Sequence, residues 1–375
     1  MLKPRHSRTR PARLVVALST LAIAAAPAAL AGVSPPTPPN VLPPDYGFEW
    51  SVVADPGNRA VTKEEAPLLD QFYFESDPLG GVDYTYRMAR SEVTVSQWLE
   101  FLNAYKPYAE DPGDPNLVGR WIAPVPIGNG DVKYDAGGEE LTYPATAGWR
   151  YFARYANWLH NEKQTTAEAF ESGAYDTSTF GVDENGDITD QATRSPGAKF
   201  WIPSLDEWTK AAHWDPEKND GKGGYWLYPT TSDDEPVGGP PGAGETSANW
   251  SGPFVQLPVG SYPDTMSPWG LLDLSGGERE WMENLAGNGR YVDGQRIYDM
   301  GFFDMDRLDV ISGGVVGEGA QSNWGMRLAS SVPAPSALLV LSYGLVLNRR
   351  VPLVNPVPRV PLAARPPVSL TRSQN

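Results

Sequence analysis

Any chemistry in this chain has to run on oxygen donors. It contains no cysteine and three histidines, and His6 falls in a segment read below as removed. Disulfides, thiolate nucleophiles and thiolate metal sites are therefore excluded together. A catalytic centre built on several histidines is excluded as well, and His160 and His213 read as helix-surface or hydrogen-bonded side chains. Two carboxylate pairs, Asp206/Glu207 and Glu280/Glu283, have the residue types for acid–base work on a glycan. Asp206 and Glu207 are also what the first turn of a helix favours, since carboxylates offset the positive end of its dipole. The run Asp183-x-Asn185-Gly186-Asp187-x-x-Asp190 has the look of a calcium loop. Its glycine precedes the third ligand and no glutamate closes it, so a solvated acidic turn is the better reading.

The elements that would position these groups show in the spacing. Trp50-Ser51-Val52-Val53 suggests a strand, and Asp55-Pro56-Gly57-Asn58 a turn after it. Tyr84 to Met88 alternates like a second strand. Thr94-x-x-Gln97 is a capping box opening a helix over Val95–Tyr105, with Trp98, Leu99, Phe101, Leu102 and Tyr105 on its apolar face. Residues 107–142 read as loop. A helix is expected over 148–160, with Trp149, Phe152, Ala153 and Ala156 on one stripe. A strand at Phe200-Trp201-Ile202 leads into a second capping box, Ser204-x-x-Glu207, and a helix over 205–212. Trp269 to Leu274 reads as a short buried strand that Gly276-Gly277 break before the acidic, aromatic segment Glu278-Arg279-Glu280-Trp281.

Composition bounds the class. The chain has 375 residues, enough for one large or two ordinary domains, with 13 Trp and 17 Tyr to fill a core. Its 38 Gly and 37 Pro point to a turn-rich body with little regular structure. A formal net charge of −16 argues against a nucleic-acid partner and suits a soluble acidic protein able to hold hard cations. Residues 1–31 have the order of a secretory signal: Lys3, Arg5, Arg8, Arg10 and Arg13, an apolar run over 14–26, then Ala29-Leu30-Ala31. A Pro-rich linker covers 32–47. Export places the chain outside a bacterial cell or on its surface, with membrane contact only transient, through the signal segments.

The ordered motifs resemble those of the formylglycine-generating enzymes, the sulfatase-modifying factor family, over about 48–330. Pro258-Val259-Gly260, Trp269-Gly270-Leu271-Leu272-Asp273-Leu274 and Gly276 to Trp281 are similar to that family's PVG, GLYDM and GNVWEW motifs. Glu92-Val93-Thr94, Ile202-Pro203-Ser204-x-Asp206-Glu207-Trp208 and Gly325-Met326-Arg327-Leu328-Ala329 match further markers in the right order. The resemblance implies an irregular α+β fold related to C-type lectins, with low regular secondary structure. Residues 331–350, with Pro333-Ala334-Pro335, an apolar run and Arg349-Arg350, are similar to a degenerate PEP-CTERM sorting signal in which Ala334 replaces the usual glutamate. That run falls short of the ~20 residues that span a bilayer. Residues 351–375 read as a disordered tail.

What the resemblance implies for activity has to be carried over residue by residue. Active members bind copper with two cysteines between a GGS motif, here similar to Ser312-Gly313-Gly314, and the closing GFR. This chain has no cysteine, so neither formylglycine generation nor a copper site carries over. Related enzymes that form carbon–sulfur bonds hold iron with histidines, for which only His160 and His213 remain. The family's calcium site carries over better, onto Asp273, Gly276, the Glu278 backbone and Glu280. Calcium takes six to eight oxygens, and a glycine pair lets backbone carbonyls turn toward it. Gly277 and Arg279 depart from the family's Asn and Trp. A second calcium site would begin at Asn249 and Trp250, with no later partner in 251–256. The reading is an exported, non-catalytic binding module for extracellular polysaccharide or protein. Its alternatives are an enzyme acting on polysaccharide or protein through carboxylates or a bound metal, and a decayed relative.

Overall fold

The computed structural model describes residues 41–248, 256–286, 289–293, 307–308 and 324–333. All of these but Pro333 belong to one compact unit, Met1–Val332. The signal segment, most of the Pro-rich linker, Asn249–Trp250, the Ser312–Gly314 region, the C-terminal sorting segment from residue 334 on and the tail lie outside the described residues.

A four-stranded antiparallel sheet ties the two ends of the domain together, in the order Trp50–Val53, Tyr86–Ala89, Ala329–Ser331, Phe200–Trp201. Met88 pairs with both Ser51 and Ala329, and Ala329 also pairs with Trp201. Every residue of Tyr86–Ala89, the strand with partners on both edges, is buried, so both of its faces are covered. The expected strands at Trp50 and Tyr84 are therefore present, the second shifted by two residues.

Both capping boxes form. Thr94 Oγ1 accepts the Gln97 N–H, and Gln97 Oε1 accepts the Thr94 N–H at 2.9 Å, starting the helix Val95–Tyr105. Ser204 and Glu207 exchange the same bonds ahead of Leu205–His213. The helix Trp149–His160 starts at Gly148 and buries Trp149, Phe152, Ala153 and Ala156, the expected stripe. Its Asn157 is also buried, because its amide ties down a following loop. Nδ2 donates to the Phe170 and Tyr175 carbonyls, and Oδ1 accepts the Tyr175 N–H. Trp98, Phe101, Phe152 and Tyr155 interlock between the first and second of these helices, with Trp98 and Phe152 centroids 4.7 Å apart.

Two expectations need correction. Residues 107–142 are not loop throughout. They contain a short helix, Pro115–Val118, and a hairpin of Ala123–Gly128 against Asp131–Asp135 whose outer strand is mostly exposed. The prolines of Ala123–Gly128 hid it, but an edge strand tolerates residues that cannot donate. Trp269–Leu274 forms no regular strand. Only single bonds hold it, such as Leu272 N–H to Arg90 O at 2.7 Å, and Asp273 turns the chain at φ 57°. The strand begins later, at Glu280, and Glu280–Ala286 pairs with Gly289–Asp293.

Candidate functional site

The four carboxylates from Leu271 to Glu283 lie in four different surroundings. Glu280 points inward and meets Arg327. The guanidinium donates from Nη2 to Oε1 at 2.8 Å and from Nε to both oxygens, while Trp208 Nε1–H donates to Oε2 at 2.8 Å. Arg327 also donates to the Ala89 and Leu272 carbonyls, joining the sheet to the turn. Glu283 shares Arg194 with Glu207, through bonds of 2.9 and 3.0 Å. Burial disfavours the charge on Arg194, but the two carboxylates more than offset it and raise its pKa. Arg194 also lies over Trp201, 4.2 Å from the ring centroid. Both clusters satisfy charge with charge and hydrogen bonds inside the core.

The third surrounding is different. Asp273 and Gly276 line a cavity of about 30 Å³, together with Glu92, Ser247, Ser275 and Tyr262 among others. Asp273 Oδ2 accepts the Gly260 N–H at 2.5 Å, and burial pushes the carboxyl up to about 6. Glu92, 1% exposed, accepts the Glu278 N–H on Oε1 at 3.0 Å, and Oε2 has no hydrogen-bond partner. Burial first, then Asp273 and Glu280, raise its pKa well above the carboxylate range. Gly277 lies close beside it: a Cβ there would come within 2.3 Å of Glu92 Oε1 and push that carboxylate aside.

The four residues to which the sequence resemblance assigns calcium are thus distributed. Asp273 and Gly276 share the cavity. The Glu278 side chain binds Arg120 at 2.8 Å, and burial holds its carboxyl at about 7 against the pull of that arginine. Glu280 gives its carboxylate to Arg327 and Trp208. In the sequence Glu92 stands only as a family marker, because nothing in a Glu-Val-Thr triplet tells which way its first side chain will face. The same limit hid Arg194.

The remaining candidates resolve as structural groups. Glu207 is buried and accepts from Ser204 N, Trp201 Nε1 and Arg194. Asp206 accepts the Gly80 N–H at 2.6 Å, and burial pushes it up to about 7. His160 Nδ1 accepts the Lys199 N–H, and His213 Nδ1 meets the Trp226 carbonyl at 3.0 Å. Asp183 is an exposed turn former, accepting the Asn185 and Asp187 N–H groups, while Asp190 leaves that turn to bind Arg150. Among the described residues no group of three or more His, Asp or Glu converges as a metal cluster.

A larger opening has Trp281 in its wall. It is a cleft of about 750 Å³ with Trp149, Trp281, Tyr105, Tyr151 and Phe180 among its lining residues. Trp149 and Trp281 are fixed by donating to the Met282 and Ala147 carbonyls, and Arg290 lies 3.6 Å over the Trp149 ring. Burial lowers Arg290 to about 10. Polar groups edge the aromatics: Arg150 binds Asp190, Arg154 binds Glu171, and Tyr151 donates to Asp114 at 2.6 Å. A volume of this size suits a ligand of several rings.

With this arrangement in view, comparison with known proteins places the chain. A model for the sulfatase-modifying factor enzyme 1-like domain matches residues 48–332. The chain belongs to that family. A solved structure described as the crystal structure of CarF aligns at 19% identity, over 78% of this chain and all of that one, with a TM-score of 0.41. Comparison with curated proteins gives no match.

Proposed function

We propose that this protein is an exported, non-catalytic member of the family that binds extracellular polysaccharide in the Trp149–Trp281 cleft. The observation that carries the reading is a family domain in a chain with no cysteine. The thiols that the resemblance makes responsible for copper binding and oxidation are missing from this chain. Calcium belongs to the same reading as a structural ion of the Asp273 turn, and the relation to C-type lectins that the resemblance implies would accord with a ligand-binding role.

The cleft supports a carbohydrate ligand on chemical grounds. Of the lining rings, Tyr108 is exposed and Tyr151 and Phe180 half-buried; such surfaces can cover the C–H faces of sugar rings, and arginine–carboxylate pairs at the edge offer fixed donors and acceptors for hydroxyls. An enzyme working through Glu207 or Glu280 is disfavoured, because both carboxylates are buried in arginine and tryptophan contacts. The test is binding of the mature chain to a polysaccharide panel, with product analysis alongside. Tyr108 is exposed at the cleft edge, and Tyr108→Ala is expected to weaken binding roughly 3–10-fold, the range for one aromatic contact. Release of shorter oligosaccharides would replace this reading with the enzymatic one.

A further inference from the structure

The walls of the Trp149–Trp281 cleft carry charges of both signs, and most of them answer one another. Asp190 is taken by Arg150, which donates from Nε and Nη2, and Glu171 by Arg154. Asp114 accepts the Tyr151 hydroxyl and the Asn116 N–H. Arg290 is treated differently. Among the described residues its hydrogen bonds run to backbone carbonyls alone, from Nη1 to Glu283 and Ala192 and from Nη2 to Gln191. Three of the five guanidinium N–H groups are thus used, and the buried Nε has no partner. The Glu283 carboxylate goes to Arg194 instead, at 2.9 Å.

Magnitude decides which unpaired charge a ligand feels. Glu110, exposed on the rim, has no ion pair among the described residues, but water and salt screen it. Arg290 is 2% exposed, with its guanidinium 3.6 Å over the Trp149 ring, so its field acts from a low-dielectric wall. Burial lowers its pKa to about 10, as expected of a cation with no carboxylate bound to it. Two N–H groups remain, the number a carboxylate takes when it binds arginine side on. We propose that the polysaccharide is acidic, with a uronate carboxylate held against Arg290 at the buried end of the cleft. This rests on the reading of the cleft as a glycan site and narrows it to one class. A neutral sugar ester offers Arg290 no charge, and the cation stays buried and unpaired.

The test titrates the mature full chain by calorimetry with oligogalacturonate and with the same oligosaccharide methyl-esterified, which keeps the rings and removes the charge. Chelator is present, so that calcium bridging cannot mimic binding. The acid form is expected to bind roughly tenfold more tightly, the worth of a hydrogen bond to a charged group. Arg290→Gln should bring the acid form down to the affinity of the ester and leave the ester unchanged, whereas Tyr108→Ala should weaken both alike. Should Arg290→Gln fail to fold, Glu110→Gln on the exposed rim carries the test. Removing that like charge should raise affinity for the acid form alone, roughly twofold. Equal affinity for acid and ester, or tighter binding of the ester, would overturn the proposal and leave the glycan reading standing. Poly-glutamate bound as tightly as the uronate would point to an acidic peptide and overturn it as well. No binding of any glycan, acidic or neutral, would overturn both readings.

Discussion

Glu280 and Glu92 are both buried carboxylates at the same turn, and they have been treated in opposite ways. Glu280 receives an arginine and an indole N–H. Glu92 receives one backbone N–H and faces a second carboxylate across a small cavity. A buried charge that must always be present is best paired with a fixed cation from the chain. A buried charge left open to a cavity suits a partner that arrives from solution. The contrast shows that burial by itself says little about function, and that the partner of each oxygen says more.

The comparison breaks most easily at Arg327. Arg327→Met leaves Glu280 buried and unpaired and is expected to cost about 3–5 kcal/mol in chemical denaturation. Replacing both partners, as Arg327→Met with Glu280→Leu, should recover a large part of that loss. An equally unstable double variant would show that the hydrogen bonds to Ala89 and Leu272, and not the ion pair, carry the effect. A difference of sign sharpens the comparison further. Without metal, Glu280→Gln should destabilise by about 1–3 kcal/mol, whereas Glu92→Gln should be neutral or mildly stabilising.

Asp206 supplies an intermediate case away from the cavity. Burial raises its folded pKa to about 7, and an unfolded aspartate titrates near 4. A raised acid binds its proton more tightly when folded, so its contribution favours folding at low pH. That contribution is lost as pH rises from about 4 through about 7. Asp206→Asn should flatten stability over that window, by about 3 kcal/mol between its ends. A parent protein whose stability is flat over the same range would contradict this. The smallest effect belongs to Tyr108→Ala, which should lower ligand affinity and leave the melting temperature within about 1 °C.

Local signals were readable wherever the physics is local. Thr94/Gln97 and Ser204/Glu207 are contacts between residues three apart, and both formed at the expected positions. The Trp149–Ala156 stripe follows the helical repeat, and the matching helix buries it. Trp269–Leu274 misled because a buried apolar run looks the same whether a ladder or a few separate bonds hold it. The Ala123–Asp135 hairpin escaped notice because its prolines are acceptable only on an edge, and edge position is not a local property.

The amino-acid sequence by itself determined the absence of thiol chemistry, the acidic character, the order of family motifs and the helix starts. Each depends on residue identity or on neighbours a few positions away. Only the tertiary structure decided which arginine answers which carboxylate. Glu280 and Arg327 are 47 positions apart, while 186 separate Glu92 from Glu278. Charge pairing at those separations depends on the path of the backbone between them, which no short-range pattern encodes. The same path leaves Glu92 Oε2 without a partner.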